Sequence, residues 1–271
     1  MEKLFKKIWR SFPDKVKYKL RSKIIFIIKT IYNFLGFQYL DHDTGRVSVP
    51  YFTKSKLKKS FAQQGEDLIL DRIITRVLGL DINKPRNYVD VGAFDAVEHS
   101  VTYLLYLRDW RGIVFDPSIK TRKSFEFWRK KDVFVNAVVG EEDGVNVDFF
   151  IRKDADDDQS LNNTKYPSRN KLNTFKKIIH RQVNLNNELR RQGVSKISVL
   201  KIDVEGAELE ILKTLDFESF KPSIISIEIH GNNIEKCLET EEAKLILNKG
   251  YQIAGSAVIT HFFVRIEEVV K

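Results

Sequence analysis

Two groups of acids stand where strands should end, and they set what chemistry this 271-residue chain can do. Asp203, Glu205 and Glu208 follow an apolar run, and Glu228 and His230 follow another at two-residue spacing. Period two places Glu228 and His230 on one side of their strand. With the two strands as neighbours, Asp203, Glu228 and His230 converge on one edge of a sheet. A histidine with an ordinary pKa near ~6.5 suits removal of a hydroxyl proton at neutral pH. The same three side chains, Asp203, Glu228 and His230, are also a donor set for Mg²⁺ or another divalent cation, which would acidify a bound hydroxyl. A plainer reading makes His230 a loop histidine. It makes Glu205 and Glu208 first-turn acids on a helix dipole, and for Glu208 that reading is the stronger.

A second strand end lies earlier. Asp90 and Gly92 close the run Tyr88–Ala93, and Asp116 closes Gly112–Phe115. Glycine lets the backbone turn and approach a ligand. An acid at the end of the next strand accepts hydrogen bonds from ribose hydroxyls in open α/β sheets. Asp116 also reads as the N-cap of a helix beginning after Pro117. After Gly92 comes Ala93-Phe94-Asp95-Ala96, so the G-x-G-x-x-G dinucleotide fingerprint and the G-K-S/T phosphate loop are both absent. The ligand expected here lacks a diphosphate.

The elements that must hold these residues alternate between strand and helix. A helix is expected over 64–78, a strand over 88–93, a helix over 100–108, a strand over 112–115 and a helix over 121–130. A strand over 133–139 and a hairpin-connected strand over 145–151 follow. Residues 152–173 read as a long polar loop on the acceptor side, with Ser160, Asn162, Asn163, Tyr166 and Arg169 available to a carbohydrate. Next come a short stretch at 182–183, a helix over 185–192, a strand over 197–203 and a helix over 207–215. A strand over 223–229, one helix over 234–248 and a closing hairpin over 251–258 and 262–266 complete the chain. The alternation predicts an α/β fold with a doubly wound, mostly parallel sheet and a terminal antiparallel pair.

Phe61-Ala62-Gln63-Gln64-Gly65-Glu66-Asp67, Val89-Asp90-Val91-Gly92-Ala93, Ser100 and Thr102 resemble the opening motifs of FkbM-type methyltransferases. Trp110-Arg111-Gly112-Ile113-Val114-Phe115-Asp116-Pro117, Asn136-Ala137-Val138-Val139-Gly140 and Leu200-Lys201-Ile202-Asp203-Val204-Glu205-Gly206-Ala207-Glu208 continue the resemblance in order, over roughly 61–231. It implies a class I S-adenosylmethionine-dependent methyltransferase with a Rossmann-like, seven-stranded sheet, acting on a hydroxyl of a sugar or polyketide. It implies that Asp90, Gly92 and Ala93 line the methionine part of the cofactor and that Gln63 closes that end. Asp116 would hold the ribose, Asn136 and Ala137 would flank the adenine, and Phe94, Asp95, Ser100, Pro117 and Asp203 join the same cofactor set. The chain departs from the family at Phe94-Asp95-Ala96, where Asn-Asp-Gly is common, and at Asp116, where Glu is more common.

The formal charge of +9 is not spread evenly. Residues 1–60 hold 15 Lys/Arg against four Asp/Glu, leaving 31 bases and 33 acids in the rest. The body therefore carries no nucleic-acid footprint. Domains are expected at 1–60, a basic helical arm and connector, and at 61–271. The arm shows Val16, Leu20, Ile24, Ile27, Ile31 and Phe34 at helical spacing among lysines, but its longest apolar run is far short of the ~20 residues that span a bilayer. It reads as an amphipathic helix over 1–35 on an anionic membrane or packed on protein, its own domain or a second copy in a homo-oligomer. A single cysteine excludes an internal disulfide and a Cys-based zinc site. The expectation is a cytoplasmic O-methyltransferase at the inner membrane face, acting on a glycan or glycolipid. A non-catalytic nucleoside-binding or assembly protein that keeps the fold is the alternative.

Overall fold

The computed structural model describes residues 39–40, 47–48, 59–153, 164–165, 167, 173–230 and 233–270. The chain divides into two compact units, residues 1–58 and 59–271. In the first, β1 (Tyr39–Leu40) pairs antiparallel with β2 (Val47–Ser48). The amphipathic helix expected over 1–35 lies outside the described residues, as do Ser160, Asn162, Asn163, Tyr166 and Arg169.

The second unit opens with α1 (Glu66–Arg72), continued by a π-helical turn at Ile73–Val77. Then come β3 (Asn87–Val91), the one-turn helix α2 (Tyr103–Tyr106), β4 (Arg111–Phe115), α3 (Ile119–Trp128), β5 (Val133–Val135) and β6 (Val138–Gly140). They are followed by β7 (Asn146–Arg152), β8 (Phe175–Asn184), α4 (Leu185–Arg191), β9 (Val199–Ile202), α5 (Glu208–Thr214), α6 (Phe217–Phe220) and β10 (Ile224–Glu228). The chain closes with α7 (Ile234–Glu239), α8 (Glu241–Asn248), β11 (Tyr251–Ala257) and β12 (Thr260–Arg265).

Seven strands form the main sheet in the order β11-β12-β10-β9-β3-β4-β5. The pairs β3–β4, β3–β9, β9–β10 and β4–β5 are parallel, and β12 runs antiparallel to β10 and β11. This is the doubly wound sheet with a terminal antiparallel hairpin that the alternation implies. Its strands are covered on both faces, as parallel strands must be. Val89, Val91, Ile113, Phe115, Leu200 and Ile202 enter one core, and Tyr88, Val114, Val199 and Ile224 enter the other.

Four expectations are corrected. Residues 133–139 are not one strand: the chain leaves the main sheet at Asn136–Ala137, and β6 joins a second sheet of order β6-β8-β7. β7 is not hairpin-paired with the strand before it but lies antiparallel to β8, along the whole of Asn146–Arg152. The short stretch at 182–183 is the end of the ten-residue β8, whose lysines and exposed Ile179 hide the strand pattern. The helix over 234–248 breaks at Thr240, which ends α7 and caps α8 by accepting from the Ala243 N–H. Threonine in extended geometry ends one helix and begins another because its hydroxyl replaces a backbone acceptor.

Candidate active site

The C-terminal ends of β3, β4, β9 and β10 surround a cavity of about 330 Å³, within the range of small-molecule sites. Val138, Val139, Phe149 and Lys165 close the side away from the main sheet. The break after β5 creates that wall.

The floor is the turn after β3. Gly92 sits at φ +80°, and a Cβ there would lie 1.7 Å from the Asp203 carbonyl oxygen, so only glycine fits. Phe94 follows at φ +57°, a left-handed conformation rare for a bulky residue. Its N–H donates to Asp116 Oδ2 at 3.0 Å, and the Ser118 N–H donates to Oδ1 at 2.8 Å. Asp116 thus ties the β3 turn to the end of β4. It is not the helix cap: Ser118 is, accepting from the Thr121 N–H at 3.1 Å. Burial pushes the Asp116 carboxyl up to about 6, while the N–H groups of Ser118 and Phe94 pull the other way.

Among the expected cofactor residues, Gln63, Gly92, Phe94, Asp116, Pro117, Ala137 and Asp203 line the cavity. Ala93 lines a smaller adjoining cavity of about 50 Å³, shared with Gln63, Lys201 and Ser226. Asp90, Asp95, Ser100 and Asn136 stand behind the wall. Asp90 accepts from the Thr102 hydroxyl at 2.5 Å. Asp95 accepts from the N–H groups of Val97 and Glu98 and from the Ser124 hydroxyl. Ser100 accepts from Arg129 at 3.2 Å, and Asn136 donates to the Asp116 carbonyl at 2.9 Å. Ala96, where the family favours glycine, is fully buried in the core, and Phe94 and His99 take the positive φ values of this turn instead.

At the reaction end the structure gathers Glu205, Glu228 and His230, with one donor atom of each within 4.8 Å of the others. His230 Nε2 lies 3.3 Å from Glu228 Oε1. Asp203 lines the same cavity, its Oδ2 3.3 Å from Lys201 Nζ and its carboxyl hydrogen-bonded to that of Glu228, and Glu205 joins Glu228 and His230 in the trio. Glu205 reaches the cavity because it adopts φ +56° just before Gly206 at φ +107°. Glu208 is the first residue of α5, and its carboxylate accepts from the N–H groups of Val204 and Gly206, both at 2.9 Å. Burial and the neighbouring charge of Asp203 raise the carboxyl of Glu228, and burial with Asp203 and Glu208 raises Glu205 to about 7.

Glu205 is among the acids the sequence offers at this strand end, although it also reads as a helix first-turn acid and is not in the expected trio. The residue that sequence reasoning leaves without a role is Lys201. Lys201 was legible: a lysine inside a fully buried four-residue strand needs partners. Its Nζ reaches Asp90, Asp203 and the Gly92 carbonyl.

Against known proteins, residues 90–253 match the family model described as the methyltransferase FkbM domain. No curated protein matches the chain. Similar solved structures include a fibrillarin pre-rRNA processing protein from Methanococcus jannaschii, 12% identical, covering 79% of this chain and 83% of that one at TM-score 0.40. Fibrillarin from Aeropyrum pernix, solved with natively bound S-adenosyl-L-methionine, is 10% identical and covers 84% and 91% at TM-score 0.40.

Proposed function

Because this chain belongs to the FkbM methyltransferase family, we propose that it is an S-adenosylmethionine-dependent O-methyltransferase whose acceptor is a sugar hydroxyl of a glycan or glycolipid. The observation that carries the reading is the junction of two unlike halves in one cavity: a glycine turn with a buried acid, and an imidazole–carboxylate cluster.

The first half suits the cofactor. Asp116 is held by two N–H groups with lone pairs left for ribose hydroxyls. The Gly92 turn leaves backbone, not side chain, against the ligand. Ala137 and Phe115 give an apolar wall suited to a base. Bound there, S-adenosylmethionine would supply a methyl group activated by a sulfonium.

The chain's own part in the transfer is orientation and removal of one proton. Nδ1 of His230, the ring nitrogen turned away from Glu228, takes the proton from the acceptor hydroxyl. Glu228 Oε1, 3.3 Å from Nε2, fixes the ring. Phe149 and Val138 exclude water from that side of the cavity.

A second reading rests on the trio itself. Two carboxylates and an imidazole within 4.8 Å fit a divalent cation. Glu205, Glu228 and His230 would hold it, and it would lower the pKa of a coordinated hydroxyl.

The basic arm, residues 1–35, would keep the enzyme at the cytoplasmic face of a membrane that bears the acceptor. No helix among the described residues is long and apolar enough to cross a membrane.

The test is transfer of label from methyl-tritiated S-adenosylmethionine to extracted glycans and glycolipids, followed by hydrolysis. Label recovered in an O-methyl sugar supports the reading. Label confined to protein or nucleic acid, or no binding of the cofactor by calorimetry, defeats it.

A further inference from the structure

The buried ridge is Thr121 and Phe125 on α3 and Arg129 just past its end, four residues apart. At 100° per residue, positions 123 and 127 face most directly away from that ridge. Position 127 holds phenylalanine, and Phe127 is 66% exposed. Trp128 beside it is 55% exposed. Val133, on the edge strand that follows, is exposed as well. Core packing explains none of the three.

The surrounding charge has one sign. Between Ile119 and Lys131 there are six Lys/Arg and one acid, Glu126. Glu126 is tied to Arg122 at 2.8 Å, so Lys123, Lys130 and Lys131 give the exposed face its excess positive charge. Phe127 and Trp128 meet edge to face, ring centroids 4.9 Å apart at 79°.

Aromatic side chains set among lysines match the headgroup layer of an anionic bilayer, where rings sit at the polar–apolar boundary and ammonium groups meet lipid phosphates. A second copy of this face would bring the same lysines against one another across a two-fold axis. Rings packed edge to face make a wedge. They do not offer the parallel faces on which unstacked bases lie.

We propose that the outward face of α3 is a membrane-docking surface for anionic lipid, with Phe127 and Trp128 inserted among the headgroups and Lys123, Lys130 and Lys131 on the phosphates. It lies within residues 59–271 and uses no residue of the basic arm. It does not depend on which acceptor is methylated.

The chain has three tryptophans, Trp9, Trp110 and Trp128, and Trp110 is fully buried. In full-length protein carrying Trp9→Phe, a lipid-borne quencher therefore reports on Trp128. The probe is vesicles of phosphatidylglycerol and brominated phosphatidylcholine. Emission should be quenched in low salt and recover in high salt, and Trp9→Phe/Trp128→Phe should show no quenching. Phe127→Ser, at a solvent-facing position that leaves the fold intact, should weaken vesicle partition about tenfold. Vesicle binding without quenching in Trp9→Phe places the contact elsewhere and overturns the proposal. So does absence of binding, quenching by oligouridylate but not by vesicles, or a dimer in sedimentation velocity that Phe127→Ser makes monomeric.

Discussion

Lys201 Nζ stands 3.4 Å from Oδ1 of Asp90, and both side chains are almost wholly buried beneath the Gly92 turn. They are register neighbours on β9 and β3. Burial alone would draw the Lys201 ammonium down, and Asp203 and Asp90 more than reverse it, so it stays charged. The pair anchors the Gly92 turn from below, since the same ammonium also holds the Gly92 carbonyl.

Breaking this pair one-sidedly is costly. Lys201→Met leaves Asp90 buried with only the Thr102 hydroxyl and the Arg129 charge behind it, so the loss should approach the about 3–5 kcal/mol of a one-sidedly broken buried pair. Urea unfolding should show it, and Asp90→Asn added to Lys201→Met should restore part of the stability. A Lys201→Met protein as stable as the parent would show that the ion pair anchors nothing.

Asp116 predicts opposite pH trends for stability and binding. Its folded pKa, about 6, lies above the ordinary carboxylate value. Folding therefore favours the protonated form, and that contribution is complete below about pH 4 and lost as pH rises through 6, a swing of about 3 kcal/mol at most. Asp116→Asn should remove this slope from the pH dependence of unfolding. The proposed ribose contact needs the carboxylate, so calorimetric affinity for S-adenosylhomocysteine should fall about tenfold per pH unit below 6. A flat affinity between pH 5 and 7 would remove Asp116 from the ribose contact.

His230→Ala should lower kcat by about 10²–10⁴ and leave the Kd for S-adenosylhomocysteine within twofold. His230 is largely exposed, so stability should not change. An unchanged kcat dismisses it as the base.

Chelation separates the two readings of the trio. With His230 as base, activity survives excess EDTA, and the kcat–pH profile rises on one ionisation that His230→Ala abolishes. Loss in EDTA that Mg²⁺ or Mn²⁺ restores would assign Glu205, Glu228 and His230 to a cation instead.

Gly92→Ala should abolish cofactor binding. Its methyl group would meet the Asp203 carbonyl, which is backbone and cannot yield cheaply. Saturation binding of S-adenosylhomocysteine measured on folded protein checks this, and retained affinity would mean that the turn can move.

The main sheet was legible because buried parallel strands are continuous apolar runs, as at Val89, Val91, Leu200 and Ile202. The ends of those strands were legible too, because acids and glycines interrupt the runs. Three things were not. Residues 133–139 read as one strand, and the single Asn136 that interrupts the apolar run does not by itself announce a change of sheet. β8 carries Lys176, Lys177 and Arg181 on solvent-facing positions, which erases the usual β pattern. Glu205 depends on a positive φ at a non-glycine residue, which composition cannot reveal.

The exchange of sheets at Asn136–Ala137 gives the cavity two walls of separate construction. The main sheet carries Gly92 and Asp116, whereas Val138 and Phe149 belong to the smaller sheet with a core of its own that includes Ile151. Substitutions in β6 and β7 would therefore reshape one wall of the cavity while the glycine turn on the other stays unchanged. The two walls are free to vary at different rates, one by drift in the smaller sheet and the other under continued selection.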